Sequence, residues 1–100
     1  MKAKRAVTVF NTELILCENE FETLVMLAER EGTPLTFEQI YDVVWKARGI
    51  DNQTSRMGME NVISQVRETG KGFMWIEYAV QAGYIFRVRW GQNWHIEQDL

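Results

Sequence analysis

An α+β domain, with a strand pair at the start, a three-helix core and a closing β-hairpin, is the fold class this sequence predicts. Three observations carry that expectation: apolar and β-branched runs at the beginning, three middle stretches with apolar residues at helical spacing, and two alternating stretches near the end. One hundred residues, 46% of them apolar, suffice for one hydrophobic core and not for two, so residues 1–100 are read as a single domain.

The runs AVTVF and ELIL flank Asn11-Thr12, a plausible turn, which predicts a small hairpin over 6–16. The period then changes. Phe21, Leu24, Val25, Leu27 and Ala28 recur at helical spacing after Cys17-Glu18-Asn19-Glu20, which imitates a capping box with Cys in the place of Ser or Thr. Helix one is expected at about 18–31, stopped by Gly32 and Pro34. Thr36 with Gln39 forms a regular capping box, with Leu35 and Ile40 placed as a hydrophobic staple. Phe37, Ile40, Tyr41, Val44 and Trp45 then define a second helix. The polar stretch KARGIDNQT reads as a loop, after which Thr54 or Ser55 can cap helix three, about 55–69. Met59, Val62, Ile63 and Val66 share its inner face, leaving Met57, Asn61, Ser64, Gln65 and Glu68 to look outward. Met74, Ile76, Tyr78 and Val80 alternate, as do Tyr84, Phe86, Val88 and Trp90, so 73–90 reads as a hairpin turning at Gln81-Ala82-Gly83, with Arg87 and Arg89 on its other face. Residues 91–100 form a tail with no assigned structure.

The net charge of −3, from 11 basic and 14 acidic residues, argues against a strongly basic polyanion binder. Its distribution is uneven: residues 1–11 carry +3, 12–45 carry −7, and 46–71 carry +2. A surface that faces phosphates is therefore expected within 46–71, from Lys46, Arg48, Arg56, Arg67 and Lys71, helped by Lys2, Lys4 and Arg5. No secretory signal or membrane-spanning run is apparent, and a cytoplasmic location is the expectation. Cys17 is the one cysteine and His95 the one histidine, so neither a disulfide nor a zinc site is expected, and no cofactor is implied. Glu18, Glu20 and Glu22 supply carboxylates without a nucleophile and base beside them, so no enzymatic activity is expected.

Four stretches resemble one family in order and spacing, over residues 6 to about 88: ELILCENEFETLVMLAER, PLTFEQIYDVVW, MENVISQVR and IEYAVQAGYIF. The chain resembles the OmpR/PhoB-type winged-helix DNA-binding domain, the effector domain of bacterial response regulators in two-component systems. That resemblance implies a winged helix-turn-helix fold with a small N-terminal β-sheet and a C-terminal β-hairpin wing. It implies a transcription regulator that binds double-stranded DNA, with the recognition helix at about 55–69 in the major groove and the wing at 80–84 on the minor groove. It places base contacts at Asn61 and Gln65, phosphate contacts at Ser64 and Arg67, and a wing tyrosine at Tyr84. The loop Lys46–Thr54 is implied as a contact for RNA polymerase.

Physical reasoning on the residues runs alongside. Asn61 and Gln65 stand one turn apart, and an amide side chain can make a bidentate pair with adenine; a solvated polar face is the plainer alternative. Arg56 and Arg67 suit phosphate contacts, the alternative being weak surface pairs with Glu60 and Glu68. So few cations predict feeble binding by a monomer, which a homodimer on two half-sites would offset. Phe21, Phe37, Trp45 and Phe86 are expected in the core. Trp75, Trp90 and Trp94 cluster late and either cover the N-terminal sheet or form a protein contact. The chain also departs from the family pattern: Met57, Ser64 and Gln65 stand where basic residues are common, and the wing reads Val80-Gln81-Ala82-Gly83-Tyr84 without its arginine. A second function follows from those departures, a degenerate winged-helix protein interaction module without DNA binding.

Overall fold

A computed structural model of the chain describes residues 4–9, 12–89 and 97–99, with side chains from Leu16 to Arg89. The first apolar runs pair as expected: β1 (Lys4–Val9) lies antiparallel to β2 (Thr12–Cys17), with Val7 opposite Leu14. The tail, which periodicity left without structure, supplies a third strand. Residues Glu97–Asp99 pair antiparallel with β1, giving the order β2, β1, then this last strand. Asn11 of the expected turn, Lys2, the side chains of Lys4 and Arg5, and Trp90, Trp94 and His95 lie outside what is described.

Helix α1 (Glu18–Glu29) starts directly from β2. Its capping box forms around Cys17, whose backbone N–H donates to Glu20 Oε1 at 3.1 Å. It ends two residues before the expected position, where the N–H of Arg30 donates to Leu27 O at 3.2 Å. Residues beyond it run along the later hairpin: Gly32 N–H donates to Phe86 O, and Leu35 exchanges both backbone hydrogen bonds with Tyr84.

The second helix is not uniform. Its box closes as read, Gln39 N–H donating to Thr36 Oγ1 at 3.1 Å and Thr36 N–H to Gln39 Oε1 at 2.8 Å. After α2 (Phe37–Ile40) the chain widens to a π-helical turn over Tyr41–Trp45 and tightens to a 3₁₀ turn over Lys46–Arg48. Val44 and Trp45 are buried, as their places on the apolar face predict, while Val43 is 65% exposed. The periodicity of the sequence had no means of distinguishing these from a regular helix, since the apolar positions are the same.

Helix α3 (Asn52–Gly70) begins three residues before the expected start, and its cap is neither Thr54 nor Ser55. Asp51 caps it, its Oδ1 accepting from Thr54 N–H at 2.7 Å, while the Ser55 hydroxyl is turned inward and donates to Asn52 O. The reason is that an aspartate at this point satisfies an orphan N–H with a full negative charge at the positive end of the helix. Those bonds from Thr54 hold the Asp51 carboxyl below the ordinary aspartate value. A group lowered in the folded state contributes stability above its unfolded value and loses it as pH falls through its folded value. Asp51→Ala should therefore melt lower than the wild type at neutral pH, with the gap closing in strong acid, while Asp51→Asn keeps a cap without that pH dependence. Thermal melts of the three proteins across acid pH test this; a constant gap would rule out the titrating cap.

Strands β3 (Met74–Ala79) and β4 (Gly83–Val88) form the terminal hairpin, with Ile76 opposite Phe86 and Tyr78 opposite Tyr84. Leu16, Leu24, Leu27, Ile40, Trp45, Met59, Val62, Val66, Met74 and Phe86 share one core where the three helices meet this hairpin. Phe21, Phe37, Trp45 and Phe86 are all buried, as expected. Ile85 departs from the alternation: it belongs to the hairpin's other face, yet it is buried. Trp75 is half-buried there, its indole N–H donating to Glu77, which also accepts from Arg87. Among the described residues no helix is long and apolar enough to cross a membrane.

Candidate nucleic-acid interface

The outward face of α3 can be laid out from its geometry. At about 100° per residue, Arg56 and Arg67 fall within about 20° of each other, some 16 Å apart along the axis. Asn61 and Gln65 lie about 120° or more further round, one turn apart. Between the two flanks stand Met57 and Ser64, with Glu60 toward the arginines and Glu68 toward the amides. Arg56, Met57, Arg67 and Glu68 are exposed; Asn61, Ser64 and Gln65 are half-buried. The helix thus offers cations along one edge and amides along the other, which residue counts alone do not reveal.

The two arginines are held differently. Arg67 is exposed, its Nη2 lying 3.5 Å from Ser64 Oγ, at the limit of a hydrogen bond. Arg56 turns toward α2, where its Cζ sits 4.0 Å from the centre of the Phe37 ring. Among the described residues neither pairs with Glu60 or Glu68. Among the described residues, ion pairs form at other arginines: Arg87 with Glu77 at 3.2 Å, and Arg48 with Glu22 and, at 3.9 Å, Glu18.

Arg48 therefore has a separate role from Arg56. It reaches back from the end of the second helix to α1, donating also to the side-chain oxygen of buried Asn19. Beside it, the Trp45 indole N–H donates to Thr23 Oγ1 at 3.2 Å, and that hydroxyl donates to Asn19 O at 2.9 Å. Tyr41 Oη donates to Ile50 O from the other side. These bonds tie the loop between the second and third helices to the body of the domain. Glu22 raises the pKa of Arg48 further above its ordinary value, by hydrogen bond and charge.

A cleft opens where α2, α3 and the hairpin meet. Phe37 and Glu38 come from α2, Arg56 from α3, and Tyr78, Gln81 and Tyr84 from the hairpin. Tyr78 and Tyr84 rings sit 5.1 Å apart at a tilt of 56°. Burial pushes the Tyr84 hydroxyl up, and the Arg56 charge works against that shift, while Tyr78, Glu60 and Glu38 add to it. The structure thus joins Arg56 with Tyr84, two residues that the sequence singled out separately. Phe37 and Tyr78 line the same cleft, although the sequence marks neither as a site residue. Phe37 read as core, and Tyr78 read as an inward strand position although it is 62% exposed.

A family model described as the C-terminal domain of transcriptional regulatory proteins matches residues 11–86. The chain belongs to that OmpR/PhoB-type family. No curated protein matches it. The helices and the following antiparallel hairpin are those of the family's α+β winged helix, with β3–β4 as its wing. Members are DNA-binding effector domains of transcriptional regulators, and the family is not an enzymatic one. The match spans the second strand, all three helices and most of the wing; β1 and the last strand lie outside it.

Proposed function

We propose that this winged-helix domain binds double-stranded DNA at a specific sequence, with α3 in the major groove and the wing against the adjacent minor groove. What carries the reading is the division of the α3 surface, with Arg56 and Arg67 on one edge and Asn61 and Gln65 on the other. The arginines and Ser64 meet phosphates, which position the protein; the amides meet base edges, which specify the site. Met57, 63% exposed near the start of the helix, offers an apolar contact of the kind a thymine methyl group accepts. Tyr84 contributes from the wing. No cofactor enters this function.

The loop Lys46–Thr54 is the surface offered to RNA polymerase, held in shape by Arg48 and by the Tyr41 hydrogen bond. Two copies on adjacent half-sites supply the affinity that one copy with so few cations lacks, through effective concentration.

A fluorescence-anisotropy titration against pooled genomic fragments tests the reading. Binding is expected to weaken with salt along a shallow slope, since few phosphates are neutralised, and Arg67→Glu to reduce it by more than about tenfold by reversing a phosphate contact. Gln65→Ala, by contrast, is expected to relax discrimination by about 1–3 kcal/mol at one position while leaving the salt slope alone. Absent or salt-independent binding at low ionic strength would reject the function.

A second reading rests on a different face. Val25, Met26 and the exposed Val43 line an apolar groove between α1 and the π-helical turn, a surface on which a protein partner could pack. If the domain is an interaction module, light scattering of the purified chain will show self-association that Val43→Glu removes. A monomer that binds DNA leaves the first reading standing alone.

A further inference from the structure

We propose that Phe37 is a positioning residue for the interface: its ring holds the Arg56 guanidinium beside Tyr78 and Tyr84, so that recognition helix and wing grip one DNA phosphate together. This rests on the DNA-binding reading and assigns that reading a residue outside the recognition helix and the wing.

The geometry argues it in steps. An arginine on an exposed helix face is long and flexible, and Arg56 has acids on two sides, Glu60 one turn along α3 and Glu38 across the cleft. Either could draw it away from the groove. Instead the guanidinium lies 4.0 Å over the Phe37 ring, a distance at which the negative face of the ring attracts it. Phe37 is a firm support: it is 7% exposed, and its other neighbour is Tyr41, stacked at 5.8 Å and anchored by its hydroxyl bond to Ile50 O. Contact with a ring uses none of the guanidinium's N–H donors, and among the described residues no ion pair from Arg56 occupies them. Those are the donors that match two phosphate oxygens. The two tyrosine rings close the cleft on the wing side. The wing has no arginine of its own between Val80 and Tyr84, and this arrangement brings one to it from α3.

The test measures binding of the full chain to a labelled mixed-sequence duplex over a range of salt, where phosphate contacts dominate. Phe37→Leu is expected to flatten the slope of log K against log salt by about 0.9, the value of one phosphate. Phe37→Trp, which keeps an aromatic face, should restore the slope, and Phe37→Leu should add nothing in an Arg56→Gln background. In the unbound wild type, proton NMR should show the Arg56 side-chain resonances displaced upfield by the ring, a readout that does not depend on any variant folding. Wild-type DNA binding with a full slope in folded Phe37→Leu, or unshifted Arg56 resonances, would overturn the positioning role. A wild type that binds no DNA would overturn the DNA-binding reading itself, whatever the NMR result.

Discussion

Alanine at position 83 is expected to destabilise the domain by about 3 kcal/mol or more and to loosen the wing from the helices. Gly83 has φ of +116°, a backbone conformation that side chains rarely adopt. Its added Cβ would lie 2.3 Å from Leu35 O and 2.5 Å from Leu35 C, and these are backbone atoms with no rotamer to relieve the contact. The strand would have to move, opening the pair of bonds in which Tyr84 N–H donates to Leu35 O at 2.7 Å and Leu35 N–H to Tyr84 O at 2.9 Å. Urea denaturation of Gly83→Ala should show a lower midpoint, and hydrogen exchange should show lost protection at Leu35 and Tyr84. DNA affinity should fall as well, because Tyr84 leaves the cleft beside Arg56. A variant with an unchanged midpoint and protected amides would mean that the hairpin does not depend on this close approach.

Gly58→Ala is expected to carry the opposite sign from the same change on an exposed helix. In the open, alanine would stabilise α3 by about 1 kcal/mol through its better helix propensity. Here the Cβ would meet the Trp45 ring at 2.4 Å, with two further ring atoms at 3.1 and 3.2 Å. The indole cannot yield cheaply, since it is buried and its N–H is bonded to Thr23. Overpacking of this kind costs about 1–3 kcal/mol, so after the gain of about 1 kcal/mol in propensity a net loss of about 1 kcal/mol is expected. That corresponds to a drop in melting temperature of about 5 °C for a domain of this size. Trp45→Phe should recover part of the loss in the Gly58→Ala background, although alone it destabilises by leaving a cavity. Simple additivity of the two changes would show that Gly58 and Trp45 do not meet.

Most of the scaffold is legible in the sequence. The capping box at Thr36 and Gln39 needs only four consecutive residues, and it formed as written. The inner face of α3 and the pairing of β3 with β4 rest on repeated apolar positions, so no single residue decides them. The cap of α3 was misread for a local reason: Asp51, Thr54 and Ser55 are all good caps, and their order of preference depends on where the chain enters the helix. The candidate site was legible as positions rather than as contacts. Arg56 and Tyr84 were each marked, but nothing in the sequence joined them to Phe37.

What the sequence determined by itself was the family, the order of its elements and the face each helix turns to the core. Those follow from hydrophobic burial summed over many side chains at regular spacing. Only the tertiary structure decided that Arg48 turns to α1 while Arg56 lies over Phe37 in a cleft with Tyr84, that residues 97–99 join the first sheet, and that the second helix widens to a π-helical turn. The destination of an arginine depends on which acids and rings the folded chain brings within its reach, and the partners of Arg48 and Arg56 lie many residues away. A strand as short as Glu97–Asp99 likewise has no periodicity to read; it exists because β1 presents an edge for it to pair with.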